Sequence, residues 1–186
     1  MGKLIYLMNV SLDGFIETPD HSLDWATIDD EIHGWFNERT RASATSIYGR
    51  RMYDTMTAYW PTADQDPNAT PVMLEYATIW NAMPKVVFSH SLESADYGFR
   101  LVRGDVGEVL RDLRAEVDGD IDVSGPNIAS QFIERDLVDA YQLVVHPVAI
   151  GAGTPFFPAN GRRLRLRQTA IERVGSGVVM LTYERA

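Results

Sequence analysis

The sequence predicts an α/β domain built on a mostly parallel sheet with an antiparallel edge. Three observations carry this expectation. Short apolar runs of strand length alternate with amphipathic helical stretches through most of the chain. Runs such as Lys85-Val86-Val87-Phe88 lack polar alternation, as strands buried on both faces do. The chain then closes on two alternating segments around Gly175-Ser176-Gly177, which read as a terminal β-hairpin.

The first strand is expected over residues 4–10, followed by the loop SLDGFIETPDHSLDW. Ile32, Trp35 and Phe36 share one face of a helix over 29–42, and its acidic start suits the positive end of the helix dipole. A short strand over 45–48 runs into Gly49, Arg50 and Arg51, where a second helix opens. Residues 59–71 (YWPTADQDPNATP) read as an exposed excursion, not a linker, because strand and helix signals resume on both sides. A helix over 72–82, a strand over 85–89 and a short strand near 99–102 follow. Val106, Val109, Leu110, Leu113 and Val117 form the apolar face of a helix over 105–117. A strand over 121–124 leads into Gly125 and Pro126, and Pro126 suits the first turn of a helix over 127–135. A long strand is expected over 140–150 before the hairpin.

Composition narrows the function classes. The 186 residues fit one domain, and 45% hydrophobic with 23% charged residues is a globular balance. With no cysteine, disulfides, thiolate metal sites and a cysteine nucleophile are excluded. A net charge of -9 opposes general nucleic-acid binding, so any anion site needs local positive charge. No apolar run is long enough to span a bilayer, and the N-terminus lacks the pattern of a signal peptide, so a cytoplasmic setting is expected. There is no GxSxG elbow. His33 beside Asp29, Asp30 and Glu31 suggests no metal site, because adjacent helical positions point in different directions.

In open α/β sheets, ligands bind beyond the carboxyl ends of the strands. Two strand-to-helix turns here suit phosphate. In Tyr48-Gly49-Arg50-Arg51, the glycine permits close backbone approach, the helix start offers free N–H groups, and two arginines add planar permanent charge. A helix start with two solvated arginines fits that pattern equally. Ser124-Gly125-Pro126-Asn127 offers backbone donors too, although Pro126 withholds one, and a plain tight turn also accounts for it. Ser89, His90 and Ser91 end a strand with polar groups suited to a ribose phosphate or to solvent. Gly151-Ala152-Gly153 reads as loop geometry with positive φ at both glycines, since no helix follows it.

Taken in order, NVSLDGFI (Asn9–Ile16), YGRRMYDTM (Tyr48–Met56), KVVFSHS (Lys85–Ser91) and DVSGPNIASQFIERDLVDAYQLVVHPVAIGAGTPFF (Asp122–Phe157) resemble the dihydrofolate-reductase-like superfamily. The resemblance is greatest to the C-terminal reductase domain of the bacterial riboflavin-biosynthesis deaminase/reductase. It spans residues 3–183 and implies a single three-layer α/β domain over 1–186, with helices on both faces of the sheet. It implies NADPH as cofactor. Asn9 and Ile16 would flank the nicotinamide, and Asp13 and Gly14 would shape the covering loop. Gly49, Arg50 and Arg51 would hold the 2′-phosphate side, and Ser89 and His90 would lie near the adenosine. Gly125, Asn127 and Ile128 would receive the pyrophosphate.

Two departures stand out. The family's turn usually offers consecutive glycines, whereas here Ser124 and Pro126 flank Gly125. The acid of true dihydrofolate reductases sits in the first long helix, where Asp30 and Glu31 are the catalytic candidates and Ile32 competes for the place. The implied activity is hydride transfer to a small heterocyclic, carbonyl or imine substrate, as in reduction of 5-amino-6-(5-phosphoribosylamino)uracil. Arg100 and Arg103 are candidates for a substrate phosphate. The alternatives are a dihydrofolate-reductase-like activity and a non-catalytic nucleotide-binding dimer. The resemblance also implies a homodimer formed through PVAIGAGTPFF.

Overall fold

The computed structural model describes residues 2–186. Eight strands form one sheet in the order β5-β4-β3-β6-β1-β7-β10-β9. They are β1 (Leu4–Ser11), β3 (Thr45–Gly49), β4 (Lys85–Phe88), β5 (Phe99–Val102), β6 (Ile121–Ser124), β7 (Ala140–His146), β9 (Leu166–Val174) and β10 (Val178–Arg185). The pairings from β5 to β7 are parallel, and β10 runs antiparallel to both β7 and β9. A mostly parallel sheet with an antiparallel terminal hairpin is therefore the observed architecture.

Alternation along the strands sorts side chains to two helical layers. Ile47, Val86, Ile121 and Val123 face α4 (Val106–Glu116) and α5 (Pro126–Glu134) in one cluster. Tyr48, Val87 and Phe99 face α2 (Arg50–Thr57) and α3 (Pro71–Ala82) across the sheet, around the fully buried Trp80. The third cluster joins α1 (Asp30–Ala42), through Ile32, to β7 and the hairpin. Each layer buries the apolar stripe that the helical periodicity marks.

Two helices are capped by aspartate. Asp29 accepts from the Ile32 N–H at 2.8 Å and, across the fold, from the Ser176 hydroxyl at 2.8 Å, so one carboxylate starts α1 and anchors the hairpin turn. The Ile32 bond and then the Ser176 bond hold its carboxyl below the usual carboxylate range. Asp105 caps α4 in the same manner, accepting from Gly107 and Glu108.

The structure corrects three expectations. The strand expected over 140–150 ends at His146, because Pro147 has no N–H to continue the ladder. The excursion over 59–71 contains a 3₁₀ turn, Trp60–Gln65, with Pro61 at its start and Ala63 fully buried. The loop after β1 contains a short strand, β2 (Phe15–Glu17), which pairs antiparallel with β8 (Thr154–Pro155) as a separate two-stranded sheet. Among the described residues, no helix is long and apolar enough to cross a membrane.

Both glycines of Gly151-Ala152-Gly153 have positive φ, and Gly153 is also constrained by space. A Cβ there would lie 1.8 Å from the Glu17 carbonyl oxygen, so the β2–β8 pairing requires glycine. Gly153→Ala is expected to lower unfolding free energy by about 2–3 kcal/mol. Urea denaturation of the two proteins measures this, and an unchanged midpoint would contradict the packing described.

Candidate active site: two adjoining cavities at one end of the sheet

A cavity of about 360 Å³ opens where β3, β4, β5 and β6 end. The register pairs Tyr48 with Ser124, so the next residues, Gly49 and Gly125, stand side by side. A Cβ on Gly125 would lie 3.7 Å from the Gly49 nitrogen, and the φ of Gly125, +108°, disfavours any side chain. Gly49 and Gly125 are the N-caps of α2 and α5, and neither helix has a side-chain cap. Two helix starts with free N–H groups and positive dipole ends thus meet at one cavity.

Nine of the twelve expected cofactor residues gather here. Ile16, Gly49, Arg50 and Arg51 line the cavity, with Ser89 and His90 on one side and Gly125, Asn127 and Ile128 on the other. The arginines are not free. Arg50 Nε lies 2.8 Å from Asp54 Oδ2, and Arg51 Nη2 lies 2.6 Å from Glu17 Oε1. Glu17, buried on β2, also accepts from the Thr154 hydroxyl at 2.5 Å. Burial pushes the Glu17 carboxyl up, but the bonds from Thr154 and Arg51 and the Arg51 charge outweigh it and hold it below the usual range. A phosphate entering this cavity competes with Asp54 and Glu17 for the two guanidinium groups. Ser89 Oγ accepts from the Leu92 N–H at 3.1 Å and shapes its own turn.

A second cavity, of about 430 Å³, lies between the sheet and α1, α2 and α3. Met8 and Met52 line both cavities, so the two adjoin. Its wall is aromatic: Tyr76 stands 4.4 Å from Trp60 and 5.5 Å from His33 between ring centroids. Its polar floor comes from the strands, with Ser46 and Tyr48 of β3 and Asp122 and Ser124 of β6. Asp122 is buried and paired with Arg39 at 2.7 Å, and it also accepts from Ser43. Burial pushes its carboxyl up, and Arg39 and Ser43 offset only part of that.

Asn9 lines this second cavity, not the first. Its Oδ1 lies 2.9 Å from Nε2 of His146, whose ring is 1% exposed and whose Nδ1 has no partner. Burial lowers the His146 pKa, which keeps the ring neutral. The proton belongs on Nε2, because an unpartnered acceptor at Nδ1 costs less than an unpartnered buried donor. His146 then donates to Asn9 and leaves the Asn9 amide nitrogen for the cavity. Asp13 and Gly14 line neither cavity. Asp13 accepts from the Ser11 hydroxyl at 2.6 Å and the Gly151 N–H at 2.7 Å, and the Gly14 carbonyl accepts from Phe156 N–H at 3.0 Å. Both residues latch the loop after β1 to residues 150–156.

Several expectations are corrected. Asp30 and Glu31 are exposed and line neither cavity, because α1 turns His33, Phe36 and Thr40 toward the site and Ile32 into the core. Arg100 is paired with Glu116 at 2.8 Å, Arg103 donates to the Leu92 carbonyl, and neither lines either cavity. Phe156 overturns no expectation: in the apolar PVAIGAGTPFF stretch, which reads as interface or core, it lies in the core, stacked on Tyr6 at 4.3 Å. The residues missed from sequence are Glu17, Tyr48, Trp60, Tyr76, Asp122 and His146. Asp122 had a signal, a carboxylate inside the four-residue buried strand Ile-Asp-Val-Ser.

The chain matches the family described as RibD C-terminal domain over residues 2–180. It belongs to that family. Among relatives of the RibD C-terminal domain chain, YyaP of Bacillus subtilis (strain 168), called uncharacterized, is 29% identical over 182 residues, covering 97% of this chain and 94% of the relative. The crystal structure of a Shewanella sp. PV-4 protein, named as a candidate riboflavin biosynthesis protein, aligns with a TM-score of 0.76 at 21% identity, covering 100% of this chain and 99% of that one. Dihydrofolate reductase from Enterococcus faecalis, complexed with NADP(H) and RAB-propyl, aligns with a TM-score of 0.67 at 16% identity, covering 99% and 96%. These structures place the fold in the dihydrofolate-reductase-like class.

The neutral, buried His146 gives a pH signature. Its folded pKa lies below the ordinary 6.5, so the unfolded chain binds more protons on the acid side of 6.5. Stability should therefore fall as pH drops through that window, by up to about 1.4 kcal/mol per pH unit. His146→Gln should lose this component. Denaturant unfolding of both proteins at neutral and mildly acidic pH checks it, and parallel pH curves would refute it.

Proposed function

We propose that the protein is an NADPH-dependent reductase acting in the cytoplasm on a small heterocyclic, carbonyl or imine substrate. The observation that carries this is the meeting of two helix starts without side-chain caps and two arginines at one cavity that adjoins an aromatic-walled neighbour. The residues fit a dinucleotide phosphate. The backbone N–H groups at Gly49–Arg51 and at Asn127–Ile128 would hold the pyrophosphate, and Arg50 and Arg51 the 2′-phosphate. When bound, NADPH supplies a hydride to the substrate carbon, and a proton completes the reduction.

The remaining residues bind and orient. Asn9, fixed by His146, presents an amide next to the junction formed by Met8 and Met52. The loop latched by Asp13 covers the site, and the wall of Trp60, Tyr76 and His33 excludes water from a planar substrate. Membership of a family named for a riboflavin-biosynthesis reductase domain supports the reaction class. So does the NADP(H) complex of the structurally similar dihydrofolate reductase.

Fluorescence titration with NADPH and NADH tests the reading. The protein should prefer NADPH, and Arg50→Ala/Arg51→Ala should weaken NADPH binding by about 10–100-fold while sparing NADH, the effect of losing charge-assisted bonds to one phosphate. Failure to bind either nucleotide would overturn the proposal. We further propose a homodimer. Sedimentation at micromolar concentration should give twice the chain mass, and a monomer would exclude it.

A further inference from the structure

The second cavity is charged in a way that selects against the substrate the family name suggests. Its lining includes no arginine or lysine among the described residues. The one carboxylate among those residues is that of Asp122, buried in its floor. Arg39, the guanidinium paired with that carboxylate, is already committed and does not line the cavity. It donates to Asp122 at 2.7 Å and to Gln142 at 2.9 Å, with Ser43 at 3.4 Å. Arg41, two residues on, points outward to Glu38 and Glu75. Arg100 and Arg103 are engaged elsewhere. A phosphate dianion placed here would lose its hydration, meet a carboxylate and find no cation free to pair with it.

The same floor has unused acceptor and donor capacity. Oδ1 of Asp122 accepts from Arg39 and Oδ2 from Ser43, and a carboxylate offers about four lone-pair sites in all. The Tyr48 hydroxyl accepts from the Trp80 indole at 3.0 Å and keeps its own proton to donate. The wall is aromatic, with Trp60, Tyr76 and His33 packed tilted or edge-on to one another, and Met8, Met52, Met56 and Met73 supply a deformable apolar lining. We propose that this cavity takes a planar nitrogen heterocycle that is neutral or cationic and carries no phosphate, with its N–H edge on Asp122. This rests on the assignment of the second cavity as the substrate site of an NADPH-dependent reductase. It separates this chain from reductases of phosphoribosylated pyrimidines.

Calorimetric titration of the wild-type protein, with and without saturating NADP+, tests it. The probes are 5-amino-6-ribosylaminouracil, its 5′-phosphate and 2,4-diaminopyrimidine. The unphosphorylated uracil should bind at least about tenfold more tightly than its phosphate ester, a difference of about 1.4 kcal/mol. Asp122→Asn should weaken 2,4-diaminopyrimidine most, but it leaves Arg39 buried without its partner and risks the fold. Thr40→Arg avoids that risk, because Thr40 lines the cavity from α1 and an arginine there adds a cation without breaking the Asp122 pair. In that variant the preference should narrow or reverse. Equal or tighter binding of the phosphate ester by the wild type, or no binding of either unphosphorylated probe at millimolar concentration, overturns the proposal. A failure to bind NADPH or NADP+ strikes the cofactor assignment instead, and the titrations without nucleotide still read the charge preference.

Discussion

The site depends first on the register between β3 and β6. Pairing Tyr48 with Ser124 brings both strands to their ends at the same level, and the two following glycines then touch. A side chain on Gly125 would be strained by its φ of +108°, and a Cβ on Gly49 would press to 3.3 Å from Ile128 at the start of α5. With glycine at both positions, α2 and α5 leave the sheet side by side with their unpaired N–H groups on the same cavity. A parallel pair of strands is what permits this, since in an antiparallel pair the two following helices would begin at opposite ends of the sheet.

The two cavities that share Met8 and Met52 differ sharply in electrostatics. The first has helix dipoles and arginines, tempered by Asp54 and Glu17. The second has a buried carboxylate, a neutral histidine-bound amide and aromatic rings. On the proposed assignment of the two cavities, this contrast would sort anionic from non-anionic ligands before any shape is read. The Asp122–Arg39 pair maintains it, because Arg39 holds the carboxylate in place without itself lining the cavity. Ion pairs at this depth contribute little net stability, so the pair is better understood through the field it sets than through the energy it adds.

The elements with strong periodicity were legible in the sequence. The amphipathic faces of α1 and α4, the apolar β4 and the Gly-Ser-Gly hairpin turn all repeat at periods that burial imposes, and the structure has them. The two strand-to-helix turns were legible because a glycine before a helix start has a local meaning, and the structure brings Gly49 and Gly125 to one cavity. What was hidden depends on pairing between distant segments. The β2 and β8 strands are three and two residues long, too short for any period, and each exists only because the other is there. Asp30 and Glu31 were placed by chain position, whereas the helix rotation fixed by Ile32 in the core decides which side chains reach the site. Trp60 sits in a proline-rich stretch that looks solvated, and only its packing on Tyr76 reveals it as a wall.

The segment from His146 to Phe156 illustrates how such long-range pairing creates function. Pro147 ends β7 and sends the chain under the loop that follows β1. From there, His146 fixes Asn9, Gly151 holds Asp13, Thr154 holds Glu17, and the Phe156 N–H holds the Gly14 carbonyl. One of these ties joins the ends of β1 and β7, and the other three join the segments that follow them, so neither segment keeps a conformation of its own. The position of Glu17, and through it that of Arg51, is thus set by residues more than a hundred positions away, and a change in this glycine-rich segment would reach Arg51 in the first cavity through Glu17, although the segment itself lines neither cavity.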